Sequence, residues 1–365
     1  MNPHPLFCPN RDCASRGVQN AGNIRVHDSL RNRWRCRTCK RTFSGREGTP
    51  FLGLKTDPQT VVLVLTLLAY GCPLQAIVTA FGFDERTVAD WQERAGEHSQ
   101  AVHAATVAAQ PMDLQQVQAD EVRVKLQKRL VVWMAMAICV PTRLWLGGVV
   151  SAHRDKHLLR ALARLVKSCA AFKPILLISD GWRGYVEAWQ KAFRTPLPTG
   201  KRGHPPLLAW PAVVIGQMVK VYQRGRVVGI QQRLVQGSVD QLLCLLPEVC
   251  KISTAYIERL NATFRARLCC LCRRSRALAR LPETVGSGMY LVGCLYNFCT
   301  PHQSLSEEAP TTPAMAAGLT DRVWSVSELL FFRVAPPSFV PKRRPGRKPK
   351  SEPQQTQGDK SLVTT

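Results

Sequence analysis

The chain has 365 residues, and its 50 Lys and Arg against 25 Asp and Glu leave a formal net charge of +25 with a sequence pI near 10.0. Such a surplus favours a polyanionic partner, with nucleic acid the leading candidate, because each neutralised phosphate releases condensed counterions. Hydrophobic residues make up 45% of the chain, which excludes a disordered basic tail or a histone-like arm, and the length favours two or three domains over one small binding module.

The sequence shows no sign of a membrane span or of secretion. Its longest apolar runs are shorter than the roughly 20 residues that a transmembrane helix needs. Its first residues lack a charged segment followed by an apolar one. We therefore expect no membrane association and a cytoplasmic protein, nucleoid-associated in a prokaryotic host. In that reducing compartment the 14 cysteines do not predict a disulfide framework, and most lie singly in apolar stretches.

Four cysteines near the N-terminus have the spacing of metal ligands. Cys8 and Cys13 form one close pair, and Cys36 and Cys39 form a second pair after an interval of 22 residues. Two such pairs are typical of a tetrahedral four-cysteine zinc ribbon. Residues 1–55 hold too few apolar side chains for a core of their own, so a bound Zn²⁺ would supply the missing stability. We predict a zinc ribbon here; the alternative is four unpaired thiols.

Residues 56–110 show the pattern of a helix-turn-helix domain. Asp57 followed by a proline is a helix start, and Gly71 marks the end of that helix. A second, short helix ends at a turn containing Gly82, after which Asp84 caps a third helix with apolar residues at helical spacing. Such a unit lays its last helix in the major groove of DNA, although helical hairpins that bind nothing are also common. The outward-facing residues of this helix, which we expect to contact DNA, are Arg86, Thr87 and Gln92.

From about residue 116 the pattern changes to β structure rich in Val, Leu and Ile. Three consecutive strands, a helix, a fourth strand and a second helix are predicted at residues 117–125, 130–140, 143–150, 155–168, 174–179 and 183–193. This order is that of an α/β RNase H-like domain, which we place at residues 111–305 with a β-containing insertion at about 195–250. In that fold the first and fourth strands are neighbours, so Asp120 and Asp180 are expected to project into one site.

A third carboxylate is expected on a later helix. Glu258, Asn261 and Arg265 fall on one face of the helical segment 255–268. Carboxylates brought together repel strongly unless a hard divalent cation neutralises them, which predicts Mg²⁺ or Mn²⁺ at the two strand aspartates and this glutamate. Each acid alone has an ordinary alternative: a turn, an exposed strand residue or a helical salt-bridge partner.

The insertion contains a predicted β-hairpin at about residues 217–235. A hairpin that only extends the sheet is as good an interpretation as one that grips the DNA backbone. The insertion also holds Asp240 and Glu248, which are rival third acids but lack the helical Asn and Arg partners of Glu258. The basic residues of the hairpin are Lys220, Arg224, Arg226 and Arg233.

The C-terminal region divides in two. Residues 306–340 form an extension, and residues 341–365 a tail that we expect to be disordered. The basic start of this tail resembles an AT-hook, a minor-groove arm, although any polybasic tail binds DNA non-specifically. Beyond the third helix, the arginines expected to contact DNA are Arg265, Arg343, Arg344 and Arg347.

Several segments of the chain, taken together, resemble one known family. Besides the four N-terminal cysteines they are Gln118-Ala-Asp120-Glu, Ile178-Ser-Asp180-Gly, Thr254-Ala-Tyr-Ile-Glu258-Arg-Leu-Asn-Ala-Thr-Phe-Arg265, Tyr296-Asn-Phe-Cys-Thr-Pro-His302-Gln-Ser-Leu305 and Thr312-Pro-Ala-Met-Ala-Ala-Gly-Leu319. The chain, to about residue 337, is similar to the DDE-type insertion-sequence transposases that carry an N-terminal zinc ribbon and a helix-turn-helix. The resemblance implies a homo-oligomer that binds double-stranded DNA at the ends of an insertion sequence, cleaves phosphodiester bonds and joins the freed 3'-hydroxyl to target DNA.

The resemblance also implies two-metal catalysis by three acids. Asp120, Asp180 and Glu258 would hold two Mg²⁺ ions that activate the attacking oxygen and stabilise the leaving oxygen of an in-line displacement. Two alternatives remain open. One is a DNA-binding regulator that has lost catalysis, against which the presence of all three acids argues. The other is a nuclease that cuts without joining.

Overall fold

A computed structural model describes residues 5–197, 200, 203–246, 252–272 and 277–338 of the chain. Its first part is a three-stranded antiparallel sheet of β1 (Ile24–Asp28), β2 (Arg33–Cys36) and β3 (Thr42–Ser44), with β2 in the middle. The buried residues beneath this sheet are three cysteines and Phe43. As the sequence predicts, this region has almost no apolar core of its own.

Three helices follow the small sheet: α1 (Pro58–Ala69), α2 (Leu74–Phe81) and α3 (Glu85–Thr106). The predicted helix signals are the ones that the structure uses. The side chain of Asp57 accepts hydrogen bonds from two backbone amides of the first turn of α1, and Asp84 accepts one at the start of α3. Gly82 ends α2 in the left-handed conformation, with a φ of 69°.

The central part of the chain alternates strands and helices. In chain order the elements are β4 (Gln116–Lys125), β5 (Val131–Cys139), β6 (Trp145–Ser151), α4 (Lys156–Cys169), β7 (Ile175–Asp180), α5 (Arg183–Ala192), β8 (Arg194–Pro196), β9 (Leu207–Ala209), β10 (Val213–Gln223), β11 (Arg226–Gln236) and α6 (Val239–Leu245). The later helices are α7 (Ala255–Arg267), α8 (Pro282–Cys294), α9 (Pro313–Ala316) and α10 (Val326–Phe331).

Six of these strands form one mixed sheet in the order β11-β10-β7-β4-β5-β6. Strand β4 pairs antiparallel with β5 and parallel with β7, and the register places Gln118 opposite Ile178. The first and fourth strands of this region are therefore neighbours, as the sequence predicts. Two residues further along each strand come Asp120 and Asp180, so both acids lie at the same level of the sheet.

The insertion extends this sheet. Strand β10 pairs parallel with β7, and β11 returns antiparallel to it as the edge strand. Arg224 and Gly225 form the tight turn between them, with φ values of 47° and 77°, the backbone that a two-residue hairpin turn requires. The first residues of β10 are buried, whereas the outer half of the hairpin is exposed. The structure thus supports the interpretation that the hairpin widens the sheet.

Helices α1 to α3 share one hydrophobic cluster with the large sheet and with helix α8. Helix α3 lies against α8 so closely that a β-carbon on Gly96 would stand 2.4 Å from the Cα of Ser287. This contact has a consequence for the predicted DNA-binding face. Arg86 is exposed, but Thr87 is half-buried, and Gln92 is half-buried beside Gly288 of α8. Of the three predicted contacts, Arg86 is thus the most exposed, while Gln92 lies next to α8.

Candidate metal centres

The four N-terminal cysteines converge on one point. Their sulfur atoms all lie within 4.8 Å of one another, with 3.6 Å between the sulfurs of Cys8 and Cys39 and 3.9 Å between those of Cys13 and Cys36. A tetrahedral zinc ion with Zn–S bonds of about 2.3 Å requires sulfur-to-sulfur distances of roughly 3.8 Å. The cluster therefore has the dimensions of a zinc site. Asn23 adds an outer contact by donating from Nδ2 to the Cys36 sulfur at 3.5 Å.

A second group of potential ligands lies where the middle of β4 adjoins the carboxyl end of its neighbour β7. It consists of Asp120, Glu121 and Asp180, whose carboxylate oxygens lie within 4.8 Å of one another. The parallel pairing of the two strands brings together residues that are 60 positions apart in the chain. The sequence-based expectation that Asp120 and Asp180 share one site agrees with this geometry.

The environment of Asp120 disfavours its negative charge. Its pKa is raised to about 6, first by burial and then by the negative charge of Glu121, with smaller effects of Asp180 and Glu258. Asn261 of helix α7 donates from Nδ2 to Oδ2 of Asp120 at 2.8 Å. Its amide oxygen, Oδ1, is buried and has no hydrogen-bond partner. Crowded carboxylates beside a buried, unpartnered carbonyl oxygen are a donor set that suits a hard divalent cation.

Helix α7 is anchored directly to the strand that carries this site. The side-chain oxygen of Gln118 accepts hydrogen bonds from the amides of Tyr256 and Ile257, both at 3.0 Å. The buried Gln118 therefore satisfies two amides of the first turn, which have no partner within the helix. This contact holds α7 against β4 and directs Asn261 to Asp120.

Glu258 is not a member of the three-carboxylate group. Its Oε1 accepts a hydrogen bond from Thr254 Oγ1 at 3.1 Å and lies 3.8 Å from the Lys220 ammonium of β10. Its side chain is 52% exposed. It is nevertheless near enough to contribute to the raised pKa of Asp120. Of the rival acids, Asp240 is exposed on α6, and Glu248 lies outside the described residues.

Glu121 is the member of the group that sequence reasoning missed as a site residue. Successive side chains of a strand point to opposite faces, so Glu121 was expected to point away from the site that contains Asp120. Its side chain is instead buried, with only 3% exposed. The Tyr185 hydroxyl donates to Oε2 at 2.6 Å, and the Arg154 guanidinium forms an ion pair with Oε1. The one available signal was the adjacency of two acids in the middle of a predicted strand.

Arg154 joins Glu121 to the fourth strand. Its guanidinium lies 3.7 Å from Oδ2 of Asp180 and stacks over the ring of Trp182 at 4.4 Å. The loop after β7 is held from two other sides. The backbone amide of Trp182 donates to Oδ1 of Asp180 at 3.0 Å, and Gln217 of β10 donates from Nε2 to the main-chain oxygen of Asp180 at 3.0 Å. The Asp180 carboxylate is thus oriented by the Trp182 amide and by Arg154, and its backbone is held by Gln217.

Of the remaining residues expected to bind DNA, Arg265 alone lies in the described part of the chain. Arg265 is half-buried on α7. The tail arginines Arg343, Arg344 and Arg347 lie outside the described residues. Within the described ranges, no helix is both long enough and apolar enough to cross a membrane.

Compared with known proteins, the chain matches neither a family model nor a curated relative.

Proposed function

We propose that the protein is a DDE-type transposase that cleaves DNA at the ends of an insertion sequence and joins the freed 3'-hydroxyl to target DNA. The observation that carries the proposal is the meeting of Asp120 and Asp180 on neighbouring parallel strands, under a helix whose Asn261 binds Asp120. The order and pairing of β4 to β7 are consistent with an RNase H-like domain. Supporting evidence is the charge of +25, which suits a DNA-binding protein.

In this proposal Asp120, Asp180 and Glu258 hold the divalent ions, with the amide oxygen of Asn261 close by. When bound, Mg²⁺ would activate the attacking oxygen and stabilise the leaving oxygen of an in-line displacement at phosphorus. The protein's own groups place the ligands. Asn261 fixes the Asp120 carboxylate, and the Trp182 amide fixes that of Asp180. Hydrolysis and strand transfer need the same site, since both are attack of an oxygen on phosphorus.

The cysteine cluster has a separate role in the proposal. Bound Zn²⁺ would stabilise residues 1–55 as a zinc ribbon, because the described part of that region has few buried apolar residues. The ribbon and helices α1 to α3 would recognise the element ends, with Arg86 the exposed candidate contact on α3. The basic tail would add affinity without sequence specificity, since phosphate contacts position a protein but do not read bases.

The test is Mg²⁺-dependent cleavage and joining by Asp120→Ala, Asp180→Ala and Glu258→Ala, each compared with wild type on DNA that carries the element ends. We expect all three variants to lose both reactions and to keep DNA binding. Asp240→Ala removes an exposed acid of the insertion and serves as the matched control with retained activity.

A further variant decides which glutamate completes the site. Glu121→Gln keeps the size of a buried side chain whose partners are Tyr185 and Arg154. We expect it to retain measurable cleavage, whereas Glu258→Gln should have none. If Glu258→Gln were active and Glu121→Gln inactive, Glu121 would be the third carboxylate that holds the metal ions. A wild-type protein that binds the ends but never cuts with Mg²⁺ or Mn²⁺ would favour the regulator, and one that cuts without joining would favour the nuclease.

A further inference from the structure

A polar cavity lies on the side of helix α7 that faces away from Asp120, Glu121 and Asp180. Its volume is about 360 Å³, which falls within the range of roughly 300–1,000 Å³ typical of ligand sites. The helical period places its lining residues on α7 opposite the face of Glu258 and Asn261. Among the polar residues that line the cavity are Arg143, Tyr256, Arg259, Thr263, His302 and Gln303.

Three arginines surround this cavity or lie next to it, and none of them has a carboxylate partner among the residues that the structure describes. Arg143 is held in place by Tyr256: its guanidinium lies 4.0 Å from the ring centroid and donates to the hydroxyl at 3.1 Å. Arg259 lines the cavity from the exposed side of α7. Arg267 donates to Thr300 at 3.1 Å, but its Nη1 is buried without a partner. Its guanidinium also lies 4.8 Å from the ring centroid of Tyr70, and burial lowers the pKa of Arg267.

The positive charges of all three arginines affect the imidazole of His302. Its pKa is lowered to about 4, first by burial and then by the positive charges of Arg267, Arg259 and Arg143. The imidazole is therefore neutral at pH 7, and it packs edge-on against Tyr296 at 4.5 Å between ring centroids. Its Nε2 is buried and has no hydrogen-bond partner. A buried, unpartnered ring nitrogen beside guanidinium groups that have no carboxylate partner among the described residues makes a site that suits a negatively charged ligand.

We propose that this cavity binds one phosphate group of a DNA backbone, with Arg143 and Arg259 as its charged donors and Nε2–H of His302 as its neutral donor. Guanidinium groups match the geometry of phosphate oxygens, and the buried charge of Arg267 adds to the attraction. The choice of DNA over free phosphate rests on the proposed function. The cavity and the carboxylates lie on opposite faces of helix α7. The role of the cavity is to position the strand.

The test measures binding without Mg²⁺, so that it does not depend on catalysis. Full-length Arg259→Gln and His302→Gln are compared with wild type by fluorescence anisotropy of a short labelled DNA duplex over a range of salt concentrations. Arg164→Gln, an exposed arginine of helix α4, is the control that removes the same charge elsewhere. We expect Arg259→Gln to bind roughly five- to tenfold more weakly than Arg164→Gln and to reduce the salt slope by about 1. His302→Gln should weaken binding less, since it removes no charge.

Inorganic phosphate separates the two sources of the anion. We expect millimolar phosphate to raise the Tm of wild type and of Arg164→Gln, and to raise that of Arg259→Gln by less. Equal affinities and salt slopes for Arg259→Gln and Arg164→Gln would overturn the DNA assignment, even if phosphate still stabilised wild type. Failure of the proposed function has a different signature: Asp120→Ala would cleave, whereas the binding difference between the two arginine variants would remain.

Discussion

Asp120→Asn tests whether the negative charge of Asp120 destabilises the folded protein when no cation is bound. The pKa of Asp120 is about 6 instead of 3.8, and a pKa difference of one corresponds to about 1.4 kcal/mol. Because the folded-state pKa is raised, the cost is absent below pH 3.8, grows as the pH rises and is complete above pH 6. At pH 7 and without Mg²⁺, ionised Asp120 therefore costs the folded protein roughly 3 kcal/mol.

The asparagine keeps the shape of the side chain and removes the titration. Any constant effect of the new amide cancels when two pH values are compared. We expect the difference in the free energy of unfolding between Asp120→Asn and wild type to increase by about 1.3 kcal/mol from pH 5 to pH 7. This is the increase in the cost of ionising Asp120 over that interval, given pKa values of 3.8 in the unfolded chain and about 6 in the folded protein. The measurement is urea unfolding of the full-length, zinc-loaded protein in Mg²⁺-free buffer at both pH values.

Asp240→Asn is the control for this experiment, because Asp240 is exposed on helix α6. Its stability relative to wild type should not change between the two pH values. Saturating Mg²⁺ should stabilise wild type more than Asp120→Asn, since a cation that binds only the folded state adds to stability by mass action. A difference between Asp120→Asn and wild type that is the same at pH 5 and pH 7 would refute the reasoning.

Three further predictions follow from other parts of the structure. Metal analysis of the full-length protein should find one Zn²⁺ per chain, lost in Cys8→Ser and kept in Cys244→Ser, which replaces an exposed cysteine; equal zinc contents would contradict the site. Deleting the tail beyond Pro341 should weaken binding to element ends and to random DNA alike and flatten the salt dependence; lost discrimination would instead assign base reading to the tail. Gly96→Ala should lower the Tm, because its β-carbon would stand 2.4 Å from backbone of helix α8, whereas Gly286→Ala, with open space around it, should raise the Tm through better helix propensity.

Much of the local structure was predictable because its causes lie within a few residues of each other. Asp57 and Asp84 cap their helices through amides two or three positions away, and Gly82 ends α2 because glycine adopts a positive φ easily. The strands follow from runs of β-branched and apolar residues. The cysteine spacing likewise predicted a cluster that the structure brings within metal-binding distance. The meeting of Asp120 and Asp180 was predictable only through the order of the elements, which the structure reproduces at β4 and β7.

Local patterns predicted helices α1 to α5 and α7, the strands of the large sheet, the cysteine cluster and the two strand aspartates. The rest of the site depends on packing between elements. Glu121 belongs to the carboxylate group because Arg154 and Tyr185 reach it from other elements, and strand alternation alone argues for the opposite face. Gln92 is half-buried and lies next to Gly288 of α8, almost 200 residues further along. The cavity between Arg143 and His302 also forms from residues that are far apart in the chain. Such contacts depend on how whole elements pack, and that information is not contained in any short stretch of the chain.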